Sequence, residues 1–464
     1  MRTYTTLKEA GVMSLPASDL NKQADGRTTM ELGKVLPLTA EVKDDHLFIG
    51  GCDMVEVAKE FGTALYVFDQ ADLEARMDEY VQSFKKYYGD RAEVAYASKA
   101  FQNKAIVKLA NEHGMCLDVS GGGELACALA AGFPAKRVIV HGNNKTPQEL
   151  REAIEAGVGC IVVDSRIELG RISAIAQELG VTQDIYMRIT PGVEADTHEF
   201  IRTGCEDSKF GFTMRDDFAF KCIKNALETP GVCLTGLHCH IGSQIFALHS
   251  FREAIDVMIQ FIKRINDEYH YGIEGLDLGG GLGIAYVAEE EPPTIESFAK
   301  LTCTAVKELC AQYGVKEPRI AVEPGRSIAA TPGVTLYTVG ILKTLSGIRN
   351  IVAIDGGMSD NIRTALYGAD YEPVIANKAG QPRTKVVTLV GKHCESGDAV
   401  AANASIQNPD LGDIVCMFGT GAYCHSMSSR YNGQPRPGIV FVKDGQARLV
   451  TRRETYADLM SCDL

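Results

Sequence analysis

The sequence predicts a two-domain α/β protein in which a TIM-type (β/α)8 barrel is followed by a β-rich carboxyl-terminal domain. Between about residues 62 and 325, eight short β-branched runs alternate with helical segments, as in parallel strands joined by crossover helices. After Pro332, short apolar runs separated by Gly, Pro, Asn and Asp indicate antiparallel strands. A length of 464 residues also exceeds one ordinary domain.

Each predicted barrel strand is short and apolar, and most are followed by a polar residue or a glycine. In order they are Val94 to Ser98, Cys116 to Val119, Val138 to His141, Cys160 to Asp164, Ile185 to Ile189, Leu234 to His240, Leu276 to Gly279 and Arg319 to Glu323. The intervening segments carry apolar residues at spacings of three and four, which predicts amphipathic helices. These are Lys104 to His113, Gly123 to Ala131, Pro147 to Ala156, Ile167 to Leu179 and Ser250 to Glu268.

The second domain is predicted from four further strands. They are Val334 to Val339, Val386 to Val390, Asp413 to Met417 and Ile439 to Val442. We divide the chain into an extension of uncertain order (1–45), strands that join the β-domain (46–61, with Leu47 to Phe48 as its first strand), the barrel (62–330) and the β-domain (331–464).

Composition excludes several classes of protein. A net charge of -13 disfavours nucleic-acid binding, which needs clustered Lys and Arg. No apolar run is long enough to span a membrane, and the amino terminus lacks a basic region followed by an apolar one, so we expect a cytoplasmic protein without a membrane partner. The 14 cysteines show no zinc-site spacing, so we expect free thiols and no metal, with Cys394 the exception to a buried, inert role.

Candidate catalytic residues fall at the carboxyl ends of the predicted barrel strands, where barrel enzymes place their active sites. The polar residues that share this placement are Lys99, Asp118, His141, Asp164, His240 and Glu323. A lone lysine after a strand is usually a solvated charge, and a lone histidine is usually a core residue with its hydrogen bonds made. Their joint placement at one rim favours a catalytic site.

The segments LGGGLG (278–283) and EPGR (323–326) follow the seventh and eighth predicted strands, where barrels commonly bind phosphate. A dinucleotide site is the weaker interpretation, because the glycines do not match GxGxxG at the start of a βαβ unit. A phosphate site beside Lys99 predicts pyridoxal 5'-phosphate, a phosphorylated aldehyde. Glu323 is then the candidate partner of the pyridine nitrogen, with His240 stacked on the ring and Ser243 donating to the phosphate.

With these residues in place, the chain resembles the diaminopimelate decarboxylases, pyridoxal-phosphate enzymes of the alanine-racemase-like barrel type. The resemblance runs from about Tyr66 to Leu459. The matching segments are YASKA, LDVSGGGEL, HGNNK, HCHIGSQ, DLGGGLGI, VEPGR, ALYGA, CESGD, TGAY and RRETYADL. The resemblance implies a homodimer with shared active sites, a small amino-acid substrate, and the last step of lysine biosynthesis.

The resemblance also implies roles for individual residues. Lys99 corresponds to the Schiff-base lysine, Glu323 to the pyridine partner and Cys394 to the proton donor, so that Lys99, Cys394 and His240 form the catalytic set. The cofactor-binding residues it implies are Lys99, Asp118, His240, Ser243, Gly281, Glu323, Pro324, Gly325, Arg326 and Tyr423. The substrate-binding residues it implies are Arg326, Arg363, Tyr367, Glu395 and Tyr423, with Cys394 and Glu395 reaching the partner's site.

Three departures from the family pattern and two rival functions remain. The extension is long, Cys424 and His425 are unusual after Tyr423, and no proline follows Arg363. A decarboxylase of ornithine, arginine or another basic amino acid would need an acidic residue for the distal cation, which Glu395 could supply, whereas Arg326 and Arg363 favour a distal carboxylate. A non-catalytic cofactor-binding homologue is the rival from a different class. Spacing alone also allows Arg363 to form a surface salt bridge and Tyr367 to be a core aromatic.

Overall fold

The computed structural model describes residues 15, 17–19, 21–193 and 208–464. Most of the first twenty residues of the predicted extension therefore lie outside the described residues. The chain divides into two compact units. Unit 1 contains the described residues up to Ala71, Tyr286–Glu289 and Thr331–Leu464, and unit 2 contains those of Asp72–Ala285 and Glu290–Ala330. In these described ranges, no helix has the length and apolar character needed to span a membrane.

The amino-terminal part of unit 1 is built around a small antiparallel sheet. Its elements are β1 (Glu41–Lys43), β2 (His46–Ile49), β3 (Cys52–Asp53), α1 (Met54–Phe61) and β4 (Leu65–Asp69). A 3-10 helix, Thr29–Val35, precedes the sheet. Leu47 and Phe48 lie in this small sheet, whereas β4 pairs in the main sheet of unit 1. All five side chains of β4 are buried, as expected of a strand with neighbours on both sides.

Unit 2 is a closed barrel of eight parallel strands, which confirms the predicted fold class. The strands are β5 (Ala92–Ala97), β6 (Cys116–Val119), β7 (Val138–Val140), β8 (Cys160–Val163), β9 (Gln183–Thr190), β11 (Val232–His238), β12 (Gly275–Asp277) and β13 (Arg319–Val322), with a short β10 (Phe212–Thr213) beside β9. The barrel closes where Ile320 of β13 pairs with Ala92 of β5. The sixth strand ends at His238, so the predicted end, His240, lies two residues beyond the observed one.

One helix precedes the first barrel strand, others cross from one strand to the next, and a short one follows the last strand. They are α2 (Gln70–Tyr88), α3 (Lys104–Glu112), α4 (Gly122–Ala130), α5 (Pro147–Ala156), α6 (Arg166–Glu178), α7 (Phe218–Glu228), α8 (His249–Tyr269), α9 (Ile295–Tyr313) and α10 (Arg326–Ala329). Local signals set their ends: the Thr146 hydroxyl accepts from the Glu149 N–H, Pro147 occupies the first turn and Gly157 ends α5 in the left-handed conformation.

The carboxyl-terminal part of unit 1 contributes eight strands to a nine-stranded sheet, and β4 is the ninth. Its elements are β14 (Gly333–Leu345), β15 (Arg349–Ile354), α11 (Arg363–Tyr367), β16 (Pro373–Ile375), β17 (Lys385–Val390), β18 (Ala399–Ile406), β19 (Ile414–Met417), β20 (Gly438–Lys443), β21 (Gln446–Thr451) and α12 (Tyr456–Leu459). The expectation of antiparallel strands is corrected for two pairs, since β15 with β17 and β20 with β4 are parallel.

Candidate active site

Lys99 lies at the mouth of the barrel, two residues after β5 ends. Its side chain is 41% exposed, and its Nζ donates to Oδ2 of Asp118 at 3.4 Å. Asp118 belongs to β6 and is fully buried. The two groups meet because the carboxyl ends of parallel barrel strands share one rim. Lys99 is therefore a primary amine that a small molecule can reach.

Glu323, the residue after β13, lies between two histidines. Its Oε1 is 2.5 Å from Nε2 of His141, and its Oε2 is 3.3 Å from Nε2 of His238. All three side chains are buried, and the imidazole rings meet edge to face at 4.9 Å. The contact with His141 lacks hydrogen-bond alignment, so Glu323 Oε1 has no hydrogen-bond partner among the described residues.

This environment keeps Glu323 ionised. Burial raises the pKa of Glu323, but its contacts with His141 and His238 outweigh burial and hold that pKa well below its usual range. Burial lowers the pKa of His238 to about 3, so His238 is neutral near pH 7. Burial and the charge of Glu323 raise the pKa of Asp277, at the end of β12, well above its usual range. The rim thus holds two neighbouring carboxyl groups whose pKa values are shifted in opposite directions.

The glycine loop after β12 packs tightly against the loops that follow β11 and β13. A Cβ on Gly281 would lie 2.5 Å from the carbonyl oxygen of Gly242, and one on Gly280 would overlap the carbonyl of Glu323. Gly281 also has a φ of 124°, which favours glycine. Beside these loops, Nη2 of Arg326 donates to Oγ of Ser243 at 2.9 Å. A guanidinium, a hydroxyl and backbone N–H groups are the usual ligands of a phosphate.

These groups fit pyridoxal phosphate by the chemistry of their atoms. Lys99 supplies an accessible amine for an aldehyde, and Glu323 supplies a carboxylate oxygen without a hydrogen-bond donor among the described residues, which suits a protonated pyridine nitrogen. Ser243 and Arg326 provide the polar ligands of a phosphate. His240 packs against Gly279, whose Cβ would lie 2.7 Å from the histidine Nδ1, and burial lowers the pKa of His240.

Unit 1 carries the predicted substrate residues Arg363 and Tyr367, which begin and end α11. Arg363 is 7% exposed, and its guanidinium lies 4.7 Å from the ring centroid of Tyr286. No carboxylate of the described residues lies within ion-pair distance of it, so the alternative of a surface salt bridge is wrong. Tyr367 is half-buried.

A second group of predicted residues lies on the loop that precedes β18. Cys394 is exposed, and its backbone N–H donates to Oδ1 of Asn432 at 2.8 Å. Glu395 accepts a hydrogen bond from the hydroxyl of Tyr431 at 3.3 Å. Tyr423 lies elsewhere in unit 1 with a left-handed φ of 60°. All of the described cysteines are free.

Within unit 2, the structure brings most of the predicted site residues together and adds others. Lys99, Asp118 and Glu323 share one rim, and His141, which the sequence predicted at a strand end without a specific role, contacts both carboxylates. His238 and Asp277 were missed. The alternation in HCH could have indicated His238, because residues two apart on a strand face the same side. Nothing in the spacing could have indicated Tyr431 or Asn432.

Comparisons with known proteins agree with this geometry. The family model described as "Pyridoxal-dependent decarboxylase, pyridoxal binding domain" matches residues 70–330. The chain is 46% identical over 419 residues to the diaminopimelate decarboxylase of Bacillus subtilis, covering 90% of this chain and 95% of that protein. The chain belongs to the diaminopimelate decarboxylase family. It is also 39% identical over 466 residues to the diaminopimelate decarboxylase of Corynebacterium efficiens, covering 99% and 100% of the two chains.

A solved structure supports the same family. The diaminopimelate decarboxylase from M. jannaschii, solved in complex with L-lysine, superposes with a TM-score of 0.86 at 36% identity, covering 92% of this chain and 98% of that one. These matches confirm that the chain is an enzyme of the pyridoxal-phosphate-dependent decarboxylase class.

Proposed function

We propose that this protein decarboxylates meso-2,6-diaminopimelate to L-lysine and carbon dioxide with pyridoxal 5'-phosphate as cofactor, which is the last step of lysine biosynthesis. The observation that carries the proposal is the accessible amine of Lys99 at the same barrel rim as the ionised Glu323. The names of relatives that are 39% to 46% identical over most of their length support the substrate.

We assign the cofactor to unit 2. When bound, it supplies an electron sink that accepts the electron pair left when carbon dioxide departs. Lys99 would hold the aldehyde carbon, and Glu323 would keep the ring nitrogen protonated. Asp118, by its contact with Lys99, would hold the amine near the aldehyde. His240 would pack on the ring, and Ser243, Gly281 and the loop Pro324, Gly325 and Arg326 would bind the phosphate.

The substrate carries a carboxylate and an amino group at both ends, so its distal end needs a cationic ligand. We assign this role to Arg363 together with Arg326, because a guanidinium binds a carboxylate through two parallel hydrogen bonds. Tyr367, Glu395 and Tyr423 would complete the substrate site, with Glu395 accepting from the distal ammonium. A diamine-forming enzyme does not need such an arginine, and the burial of Arg363 with no carboxylate of the described residues beside it favours diaminopimelate.

We assign the returning proton to the thiol of Cys394, which would transfer it to the carbon that lost carbon dioxide. The exposed position of Cys394 is compatible with a site completed by a second copy of the chain, as in a homodimer with shared active sites. We place the enzyme in the cytoplasm, because 14 cysteines without paired spacing are typical of a reducing compartment.

A substrate panel tests the function. Purified protein loaded with pyridoxal phosphate should release carbon dioxide from meso-diaminopimelate faster than from ornithine, arginine or lysine. Faster release from ornithine or arginine would support the basic amino-acid rival. Cofactor that borohydride attaches covalently to the wild type but not to Lys99→Ala, without release of carbon dioxide from any substrate, would support the non-catalytic rival.

Mixing two inactive variants tests the shared site. Lys99→Ala and Cys394→Ala each remove a different residue, and in a dimer with shared sites each mixed dimer contains one site free of both substitutions. Random exchange of subunits would then restore about a quarter of the wild-type activity. No recovery after verified subunit exchange would place both residues in one subunit's site.

A further inference from the structure

Arg363 has unusual surroundings for a buried cation. Its Nη1 donates to the hydroxyl of Tyr371, and its guanidinium lies 4.7 Å and 5.7 Å from the ring centroids of Tyr286 and Tyr371. The two rings meet at 80° with centroids 5.4 Å apart, forming a corner around the guanidinium. A phenol and two ring faces hold the group without neutralising it.

Another buried arginine of unit 1 shows the contrast. Arg383 is fully buried, and its guanidinium pairs with the carboxylates of both Asp25 and Glu372. Its charge is balanced inside the protein, as is usual for a buried ion. Among the described residues no carboxylate balances the positive charge of Arg363, and an incoming carboxylate can do so.

The hydroxyl of Tyr371 is itself held in place by a thiol. Sγ of Cys424 lies 3.7 Å from Oη of Tyr371, and both residues are buried. Because the guanidinium can only donate, the tyrosine oxygen accepts from Arg363, whereas either the tyrosine hydroxyl or the thiol can donate in the contact with Cys424. Cys424 is one of the residues in which this chain departs from the family pattern, and this contact gives it a partner.

We propose that Tyr371, held by Cys424, is a positioning residue that orients the guanidinium of Arg363 toward the distal carboxylate of the substrate. The proposal rests on the proposed function, since it takes Arg363 as a ligand of that carboxylate. One of the five N–H donors of Arg363 is used by Tyr371, which sets the direction of the others. A carboxylate at position 371 would hold the group equally well but would cancel the charge that attracts the substrate.

The test is Tyr371→Phe, which removes the hydroxyl and keeps the ring. We expect KM for diaminopimelate to rise about tenfold while kcat stays within about twofold, because a hydrogen bond to a charged group is lost only from the distal ligand. Inhibition by L-lysine, which keeps the distal carboxylate, should weaken to a similar extent. Inhibition by cadaverine, which lacks it, should not change.

Matched variants separate positioning from packing. Tyr337→Phe removes the hydroxyl of another buried tyrosine of unit 1 that has no hydrogen-bond partner among the described residues, and its kinetics should match the wild type. Cys424→Ala should raise KM about twofold to threefold, and Cys424→Ser, which keeps a hydrogen-bonding group, should restore it.

Two outcomes would overturn the proposal. One is an unchanged KM in Tyr371→Phe, and the other is an equal loss of lysine and cadaverine inhibition, which would indicate general damage to the site. If Tyr371→Phe keeps the wild-type melting temperature, misfolding is excluded as the cause of weaker inhibition by lysine. If the wild type releases no carbon dioxide from diaminopimelate, the proposed function fails first, so the two failures are distinguishable.

Discussion

His238 makes the stability of unit 2 depend on pH. Burial lowers the pKa of His238 to about 3 from an ordinary value of 6.5. As the pH falls below 6.5, the unfolded chain binds a proton at this residue before the folded protein does. The stabilisation is therefore complete above pH 6.5 and is lost progressively toward pH 3. About pH 5 lies ~1.5 units below the pKa of this histidine in the unfolded chain. At ~1.4 kcal/mol per unit, the free energy of unfolding falls there by about 2 kcal/mol because of this residue.

The perturbation is His238→Gln, which removes the titrating group and keeps an N–H donor for Glu323. Urea unfolding should be followed by far-UV circular dichroism, because the chain contains no tryptophan. Between pH 8 and pH 5 the variant should lose about 2 kcal/mol less free energy of unfolding than the wild type. His249→Gln, at an exposed histidine, serves as the control. Equal losses in the wild type and His238→Gln would refute the neutral, buried assignment.

Three further substitutions test the site. Glu323→Gln removes the charge beside the two histidines. Because the ring nitrogen loses its anionic partner, kcat measured by carbon dioxide release should fall by about a hundredfold or more. A near-wild-type kcat would contradict this role. Cys394→Ala should lower kcat by about 10² to 10⁴, the usual contribution of a general acid, and solvent-deuterium incorporation into lysine would report the proton step. In Asn432→Gly, glycine adopts the left-handed φ of 52° easily, but the amide that accepts from the Cys394 N–H is lost. We therefore expect kcat to fall about tenfold with little change in melting temperature. An unchanged kcat would show that the loop holds its position without Asn432.

The strands and helices of the barrel could be predicted because each has its own local signal. Lys104–Glu112 and Pro147–Ala156 have apolar residues at helical spacing and side chains that cap their first turns. The assignment of β4 could not be made in this way. Leu65–Asp69 precedes a helix just as the barrel strands do, and only its pairing with residues from the far end of the chain places it in unit 1.

The site was predictable to the extent that it lies at strand ends. Lys99, Asp118 and Glu323 could be predicted because residues at the carboxyl ends of barrel strands meet at one rim, even when they are far apart in the sequence. The states of these groups do not follow from the sequence. The neutral His238, the raised pKa of Asp277 and the ionised Glu323 arise from mutual distances and burial, which depend on how the strands close. The partners of Cys394 and Arg363 are likewise set by tertiary packing.

The position of β4 has a consequence for how the protein is made. β4 is an interior strand of its sheet, and its two neighbours are β14 and β20. A chain emerging from the ribosome therefore completes all eight barrel strands before the second of these neighbours, Gly438–Lys443, has been synthesised. Until then β4, with four apolar or aromatic residues before Asp69, has an unpaired edge that can pair with other nascent chains. Truncations that remove β20 should therefore yield aggregates rather than an isolated, usable barrel.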